Sequence, residues 1–228
     1  RITNFNKKTS QDLRQALEKK EQWKGVVLDL RNNPGGLLDQ AVSVSDMFLQ
    51  QGNIVYTKGR VERTQMSFDA QEEGTDCRAP LVALINAGTA SGSEIVAGAL
   101  KDQDRALLVG RQSFGKGSVQ TMIPLQDGTG IKLTTARYYT PNGTSIQAQG
   151  INPDISVPFI EKSGEEGEGP DSFVMREKDL EGHLMGKDQE GEDKAPQKEE
   201  VRKMLREDNQ LRVAYELVKS LPRIQKLQ

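Results

Sequence analysis

The sequence predicts an α/β fold in which short buried strands, some of them parallel, are joined by crossover helices. Three observations predict it. Gly25-Val26-Val27-Leu28-Asp29-Leu30, Leu81 to Ile85 and Ala106 to Val109 are short continuous apolar runs, the pattern of strands buried on both faces. Sharp breaks follow them, at Arg31-Asn32-Asn33-Pro34-Gly35-Gly36, at Asn86-Ala87-Gly88 and at Gly110. Between the runs lie segments whose apolar residues recur at helical spacing, and parallel strands need such crossover connections.

Taken in chain order, Thr9 to Gln22 reads as a helix. Thr9 or Ser10 can cap it, and Leu13, Ala16 and Leu17 form its apolar stripe. The first buried run and its glycine turn come next. A second helix follows with Leu37, Leu38, Ala41, Val42, Val44, Ser45 and Phe48 on its inner face. Asn53 to Arg60 reads as a strand that Val61 to Asp69 can pair with. Leu81 to Ile85 runs through Asn86-Ala87-Gly88-Thr89-Ala90-Ser91 into a helix over Glu94 to Lys101. Gly117 to Pro124 and Ile131 to Tyr139 read as strands flanking an Asp127-Gly128 turn.

After about Phe159 the composition changes. Residues 1–160 make a core domain. Residues 161–200 are rich in Glu, Lys, Gly and Asp and read as an acidic flexible linker. Residues 201–228 recover a helical period through Val201, Leu205, Leu211, Ala214, Leu217, Val218 and Leu221. Such an amphipathic helix needs a surface, either on its own domain or on a second copy of the chain.

The bulk numbers exclude several classes. The 228 residues carry a net charge of −2 with no basic stripe and few aromatics, which argues against nucleic acid as a partner. No apolar run approaches the ~20 residues that cross a bilayer. The chain opens at Arg1-Ile2-Thr3 as if in mid-strand and reads as a fragment or processed form, without a targeting signal. The one cysteine, Cys77, sits in a polar loop and reads as structural or incidental. The one histidine, His183, falls in the linker, away from any nucleophile. A Ser-His-Asp or Cys-His arrangement is therefore not expected, nor is a metal site or any other cofactor.

The chemistry points to Ser91, Lys116 and the glycine turn. Ser91 stands where a buried strand turns into a helix, among small residues. Such a position exposes a hydroxyl and aims backbone N–H groups at a reacting oxygen, with the positive helix end beside it. The same four residues, Ser91-Gly92-Ser93-Glu94, also read as an ordinary capping box. Lys116 lies between Gly115 and Gly117 and taken alone is a surface turn. No phosphate-loop frame surrounds it. Buried, a lysine there would be disfavoured as an ammonium ion and could take a proton from a serine. Gly35 and Gly36 can turn their N–H groups toward an oxyanion together with that of Gly92. The same glycines also suit a plain strand-to-helix turn.

Together these segments resemble the carboxyl-terminal processing protease family, the tail-specific proteases. The matching stretches are Val27 through Gly36, Gly88 through Leu100, and Val109-Gly110 through Phe114-Gly115-Lys116-Gly117-Ser118-Val119-Gln120. Tyr138-Tyr139-Thr140-Pro141-Asn142-Gly143 and Gly150-Ile151-Asn152-Pro153-Asp154 also match. The likeness runs in order from about residue 1 to 160. It implies a crotonase- and Clp-protease-like spiral core. It also implies Ser91 as nucleophile, Lys116 as general base 25 positions later, and Gln120 to orient that lysine. The implied oxyanion donors are the backbone of Gly36 or Gly35, with Gly92. Gly92 departs from the family's usual alanine. The PDZ domain that precedes this region in family members has no counterpart in the sequence.

The activity so implied is serine endopeptidase cleavage near protein C-termini. Its expected partners are protein or peptide substrates, an adaptor protein, and a homo-oligomer formed through the C-terminal helix. The periplasm is the location expected from bacterial members. Two alternatives stand beside it. One is an inactive peptide-binding or scaffold form of the same fold. The other is an enoyl-thioester enzyme of crotonase type, against which the Ser91 and Lys116 pair argues.

Overall fold

A computed structural model describes residues 1–18, 24–60, 65–72, 77–160 and 196–224. His183 and most of the expected linker lie outside the described residues. Two compact units are present, residues 1–158 with 213–228, and residues 159–212.

The first unit holds two four-stranded sheets. β1 (Val26–Asp29), β4 (Leu81–Ile85), β5 (Leu107–Gly110) and β8 (Ile155–Ser156) form a sheet in the order β1-β4-β5-β8, every neighbour parallel. The second sheet has the order β3-β2-β7-β6. It is antiparallel throughout, with β2 (Asn53–Gly59), β3 (Ser67–Asp69), β6 (Ser118–Pro124) and β7 (Gly130–Tyr139). The apolar runs chose between the two. Leu81–Ile85 is buried at all five positions, as a parallel central strand requires.

Crossovers come from α2 (Leu38–Asp46) and α3 (Gly92–Asp102), which pack on each other and on β2; α1 (Thr9–Glu18) packs on α2. Residues 92 to 100 of α3 are all buried, so this helix lies inside the core rather than on it. Small residues make that possible. A Cβ on Gly98 would stand 2.7 Å from the Thr140 side chain. Leu30, Phe48, Ile54, Leu84, Leu100 and Leu108 fill the centre.

Register fixes where the site can form. Val26 to Asp29 pair with Leu81 to Leu84, so β1 and β4 end side by side. Their carboxyl ends launch two adjacent loops, 30–37 and 86–91, the usual place for a site on a parallel sheet. A bidentate pair locks the first. The Arg31 Nε and Nη2 donate to the Asp29 carboxylate at 2.9 Å each, both residues buried.

The structure differs from the sequence reading at several points. α1 is seen to Glu18, and residues 19–22 of the expected helix lie outside the described set. Among the described residues the strand beside β2 is Ser67–Asp69, and residues 61–64 of the expected one lie outside the described set. Two pairings were not foreseen, β8 and a parallel bridge between Phe5 and Gly36, because two residues and a single bridge carry no period. The C-terminal helix is two helices, α4 (Pro196–Glu207) and α5 (Asn209–Ile224). Asp208 breaks them and its Oδ1 accepts the Leu211 N–H at 2.9 Å, an N-cap. Within the first unit, Ala214 and Val218 of α5 are buried. A Cβ at Gly25 would lie 2.6 Å from Val218 Cγ2, so this half of α5 packs on its own core at the entrance to β1.

Candidate active site

The loop after β1 and the loop after β4 are stitched together by Asn33, whose side chain is fully buried. Its Nδ2 donates to the Ile2 carbonyl at 3.0 Å, and its Oδ1 accepts the Gly35 N–H at 2.9 Å. Its own carbonyl accepts the Ala90 N–H at 2.9 Å and the Ser93 hydroxyl at 3.0 Å. Thr89 adds a second stitch, its hydroxyl donating to the Leu30 carbonyl at 2.9 Å. The Asn32-Asn33 pair reads as turn chemistry in sequence. Its cross-loop role appears only once β1 and β4 are adjacent.

Ser91 stands at the junction so formed, half-buried, with φ 55° and ψ −117°. A non-glycine residue held at positive φ stores about 1–3 kcal/mol of strain, and such residues gather at functional sites. The same sharp strand-to-helix geometry lifts a nucleophilic hydroxyl out of a turn.

The glycines beside it divide into two roles. Gly35, at φ 98°, presses on the serine loop; a Cβ there would lie 2.7 Å from the Ala90 carbonyl oxygen and 2.8 Å from Ser91 Cβ. Its N–H is already given to Asn33. The N–H groups of Gly36 and Gly92 have no acceptor among the described residues. They also neighbour each other, since a Cβ on Gly92 would sit 3.6 Å from Gly36 N. Gly36 must be glycine, because at φ 149° a Cβ would overlap the Phe5 carbonyl oxygen at 2.1 Å.

An alanine at position 92 fits this structure. Its methyl would meet Ala41 Cβ at 3.4 Å and Phe5 Cδ2 at 3.5 Å, ordinary contact. Gly92→Ala is therefore expected to stabilise the chain by about 0.4–1 kcal/mol, because alanine has less unfolded-state entropy to lose. Urea denaturation measures it. A loss of stability would mean the turn at Ser91 is tighter than described.

Glu94 is the residue whose importance the sequence understates. It is fully buried and no cation pairs with it among the described residues. Oε2 accepts the Ser91 N–H and the Lys116 N–H, each at 2.8 Å. Oε1 accepts the Ser113 hydroxyl at 2.5 Å and the Gly115 N–H at 2.6 Å. One carboxylate oxygen thus holds the backbones of the two candidate catalytic residues, and their nitrogens lie no more than twice 2.8 Å apart. The capping-box arm from Glu94 to Ser91 is present. Its second oxygen reaches a loop 21 residues on, which no local motif encodes.

The Lys116 loop is fixed on its other side too. The Gly117 N–H donates to Gln147 Oε1 at 3.1 Å, and the Gly115 carbonyl accepts the Ala148 N–H at 2.9 Å. The side chains of Lys116 and Gln120 are nonetheless exposed. Among the described residues, none encloses the amine in the water-poor pocket that the sequence reading required, because the backbone of the loop is buried while its side chain leaves the surface. Gln120 follows a register shift between Val119 and Gln120, a bulge that re-aims its side chain. Exposed apolar residues flank the site, Phe114 beside Lys116 and Leu37 beside Gly36.

The profile of peptidase family S41 matches residues 1–157. A carboxy-terminal-processing protease of Bartonella bacilliformis is 48% identical over 227 residues, 96% of this chain and 51% of that protein. A carboxyl-terminal-processing protease of Synechocystis is 46% identical over 164 residues, 70% of this chain and 38% of that one. Among solved structures, the photosystem II D1 C-terminal processing protease superposes with a TM-score of 0.64 at 41% identity, over 69% of this chain and 41% of that one. Mature CPAF, at 16% identity and a TM-score of 0.57, shares the fold. The chain spans about half, or less, of the length of these relatives. With the family profile covering both loops and the Lys116 segment, the chain belongs to peptidase family S41.

Proposed function

We propose that this chain is the protease core of a serine endopeptidase that cleaves polypeptides near their C-termini. Ser91 is the nucleophile, Lys116 the general base, and Gln120 the residue that orients the lysine. The N–H groups of Gly36 and Gly92 form the oxyanion hole. The observation that carries this reading is the shared Glu94 oxygen, which ties a strained serine to the backbone of the lysine loop. Between the two candidate glycines, the commitment of the Gly35 N–H to Asn33 favours Gly36.

Chemically, the neutral Lys116 amine removes the Ser91 hydroxyl proton as Oγ bonds to the scissile carbonyl carbon. The carbonyl π electrons move to oxygen, which the two N–H groups stabilise. Collapse breaks the C–N bond, and the protonated lysine gives its proton to the leaving amine. Water, deprotonated by the same amine, then releases the acyl group from Ser91. Because Lys116 is exposed among the described residues, bound substrate supplies desolvation around its amine. The names of the relatives support C-terminal processing, and resemblance to bacterial members supports the periplasm. The same exposure favours one second reading, a peptide-binding form of the fold without activity.

A fluorophosphonate probe separates the two. On this proposal it labels one residue, Ser91. Peptide mapping that finds no adduct, or an adduct on Ser93, would remove Ser91 from its role.

A further inference from the structure

The β6–β7 hairpin is the strangest surface of the first unit. Residues 120–134 are all exposed, on both faces. Yet the strands pair without interruption from Gln120↔Thr134 to Pro124↔Gly130. The turn is built firmly. Leu125 and Thr129 close it at 2.8 Å and Gly128 takes φ +84°. Asp127 accepts the hydroxyl and the N–H of Thr129, which hold its carboxyl below the usual range. A two-stranded ribbon with no support is marginal in water.

Opposite residues of an antiparallel pair share a face. Thr121 with Leu133 and Ile123 with Ile131 therefore lie on one side, and the Thr121–Thr135 hydroxyl contact at 3.0 Å is on that side as well. This face carries Ile123, Ile131 and Leu133, each 42–46% exposed. The other carries Gln120, Met122, Lys132 and Thr134. β6 is also the end of its sheet, so its outer N–H and C=O groups have no strand partner among the described residues. An apolar open edge is a feature that proteins otherwise suppress.

We infer that the open edge of β6 and the Ile123–Ile131–Leu133 face bind the polypeptide substrate as an added antiparallel or parallel strand. This inference rests on the peptidase reading of Ser91 and Lys116. Continuity with that site identifies the occupant. β6 begins at Ser118, two residues after Lys116, so it is the first open hydrogen-bonding edge on the base side of the site. Main-chain pairing gives sequence-tolerant affinity, while alternate side chains of the added strand extend the apolar face. The favoured substrate segment alternates apolar and polar residues. Seven residues of β6 span roughly 23 Å, so the segment is about seven residues long on one side of the cleaved bond.

The test uses the whole chain and its Ile123→Thr/Ile131→Thr/Leu133→Thr variant, which keeps β-propensity and removes the apolar face. Peptides share one cleavable centre and carry alternating Val-Ser tails of zero, three, seven or ten residues on either side. For the wild type, kcat/KM is expected to rise about tenfold or more up to seven tail residues and then level off. In the variant the rise disappears, while the tail-less peptide is cleaved at the wild-type rate and the fluorophosphonate labels Ser91 equally. Fluorescence anisotropy of the seven-residue-tail peptide reads binding without cleavage, so failure of the Ser–Lys chemistry leaves this proposal testable. Equal peptide binding by wild type and variant overturns it. So does a wild type indifferent to tail length. Loss of a wild-type dimer in the variant, seen by sedimentation without loss of peptide binding, would assign the face to a second copy instead.

Discussion

Ser91→Ala and Lys116→Ala are each expected to lower kcat by about 10⁴-fold or more, and the double variant to be scarcely worse than either. Residues that act as one unit are non-additive, because removing either partner removes the whole proton-transfer pathway. On the proposed mechanism, the residual rate comes from substrate binding and from the Gly36 and Gly92 donors. Both variants should fold as the wild type does. Lys116 is exposed and its side chain supports nothing in the core, so its loss falls within about 0.5 kcal/mol of neutral. Ser91→Ala keeps the Cβ and the backbone bond to Glu94, so the strained turn survives. Steady-state cleavage of a tailed peptide, with thermal melts of each variant, checks both halves. A Lys116→Ala variant that cuts as fast as wild type would eliminate the lysine as base. A double variant about 10⁴-fold slower than either single one would mean that the two residues act independently.

Glu94→Ala is expected to cost both stability and activity. The side chain is fully buried and accepts from Ser91, Lys116, Gly115 and Ser113. Each orphaned buried donor costs about 1–3 kcal/mol, and relaxation or entering water recovers part of it. The net loss is about 3–5 kcal/mol. Glu94→Gln keeps the shape but turns one oxygen into an NH₂ group that faces two donors. It should fold, with a lower melting temperature, and lose about 10²-fold in kcat with little change in KM, because the Lys116 backbone is released from Ser91 rather than substrate being lost. Fluorophosphonate labelling of Ser91 should slow in parallel. A Gln variant with full kcat and a lowered melting temperature would confine Glu94 to a structural role. This is the test that separates capping from positioning.

The sequence made the elements legible wherever a period or a break was strong. The five buried positions of Leu81–Ile85, the glycine turn at Gly35-Gly36 and the strand-to-helix step at Ser91 are local features, set by side-chain spacing and backbone permissiveness. β8 was invisible because two residues carry no pattern. The break at Asp208 was hidden because both α4 and α5 keep a helical period, and only the cap geometry divides them. The antiparallel sheet order β3-β2-β7-β6 could not be read from strands that are merely adjacent in sequence.

The sequence alone determined which residue types meet at the site: a serine after a buried strand, a lysine flanked by glycines, and glycines free to turn their amides outward. Tertiary structure decided what each of them does there. It spent the Gly35 N–H on Asn33 and left that of Gly36 without an acceptor among the described residues. It gave Glu94 a second pair of donors from a distant loop, and it left the Lys116 amine in solvent. Spacing encodes conformation because neighbours in the chain are neighbours in space. Burial and hydrogen-bond partnership depend on which remote segments the packed core brings alongside.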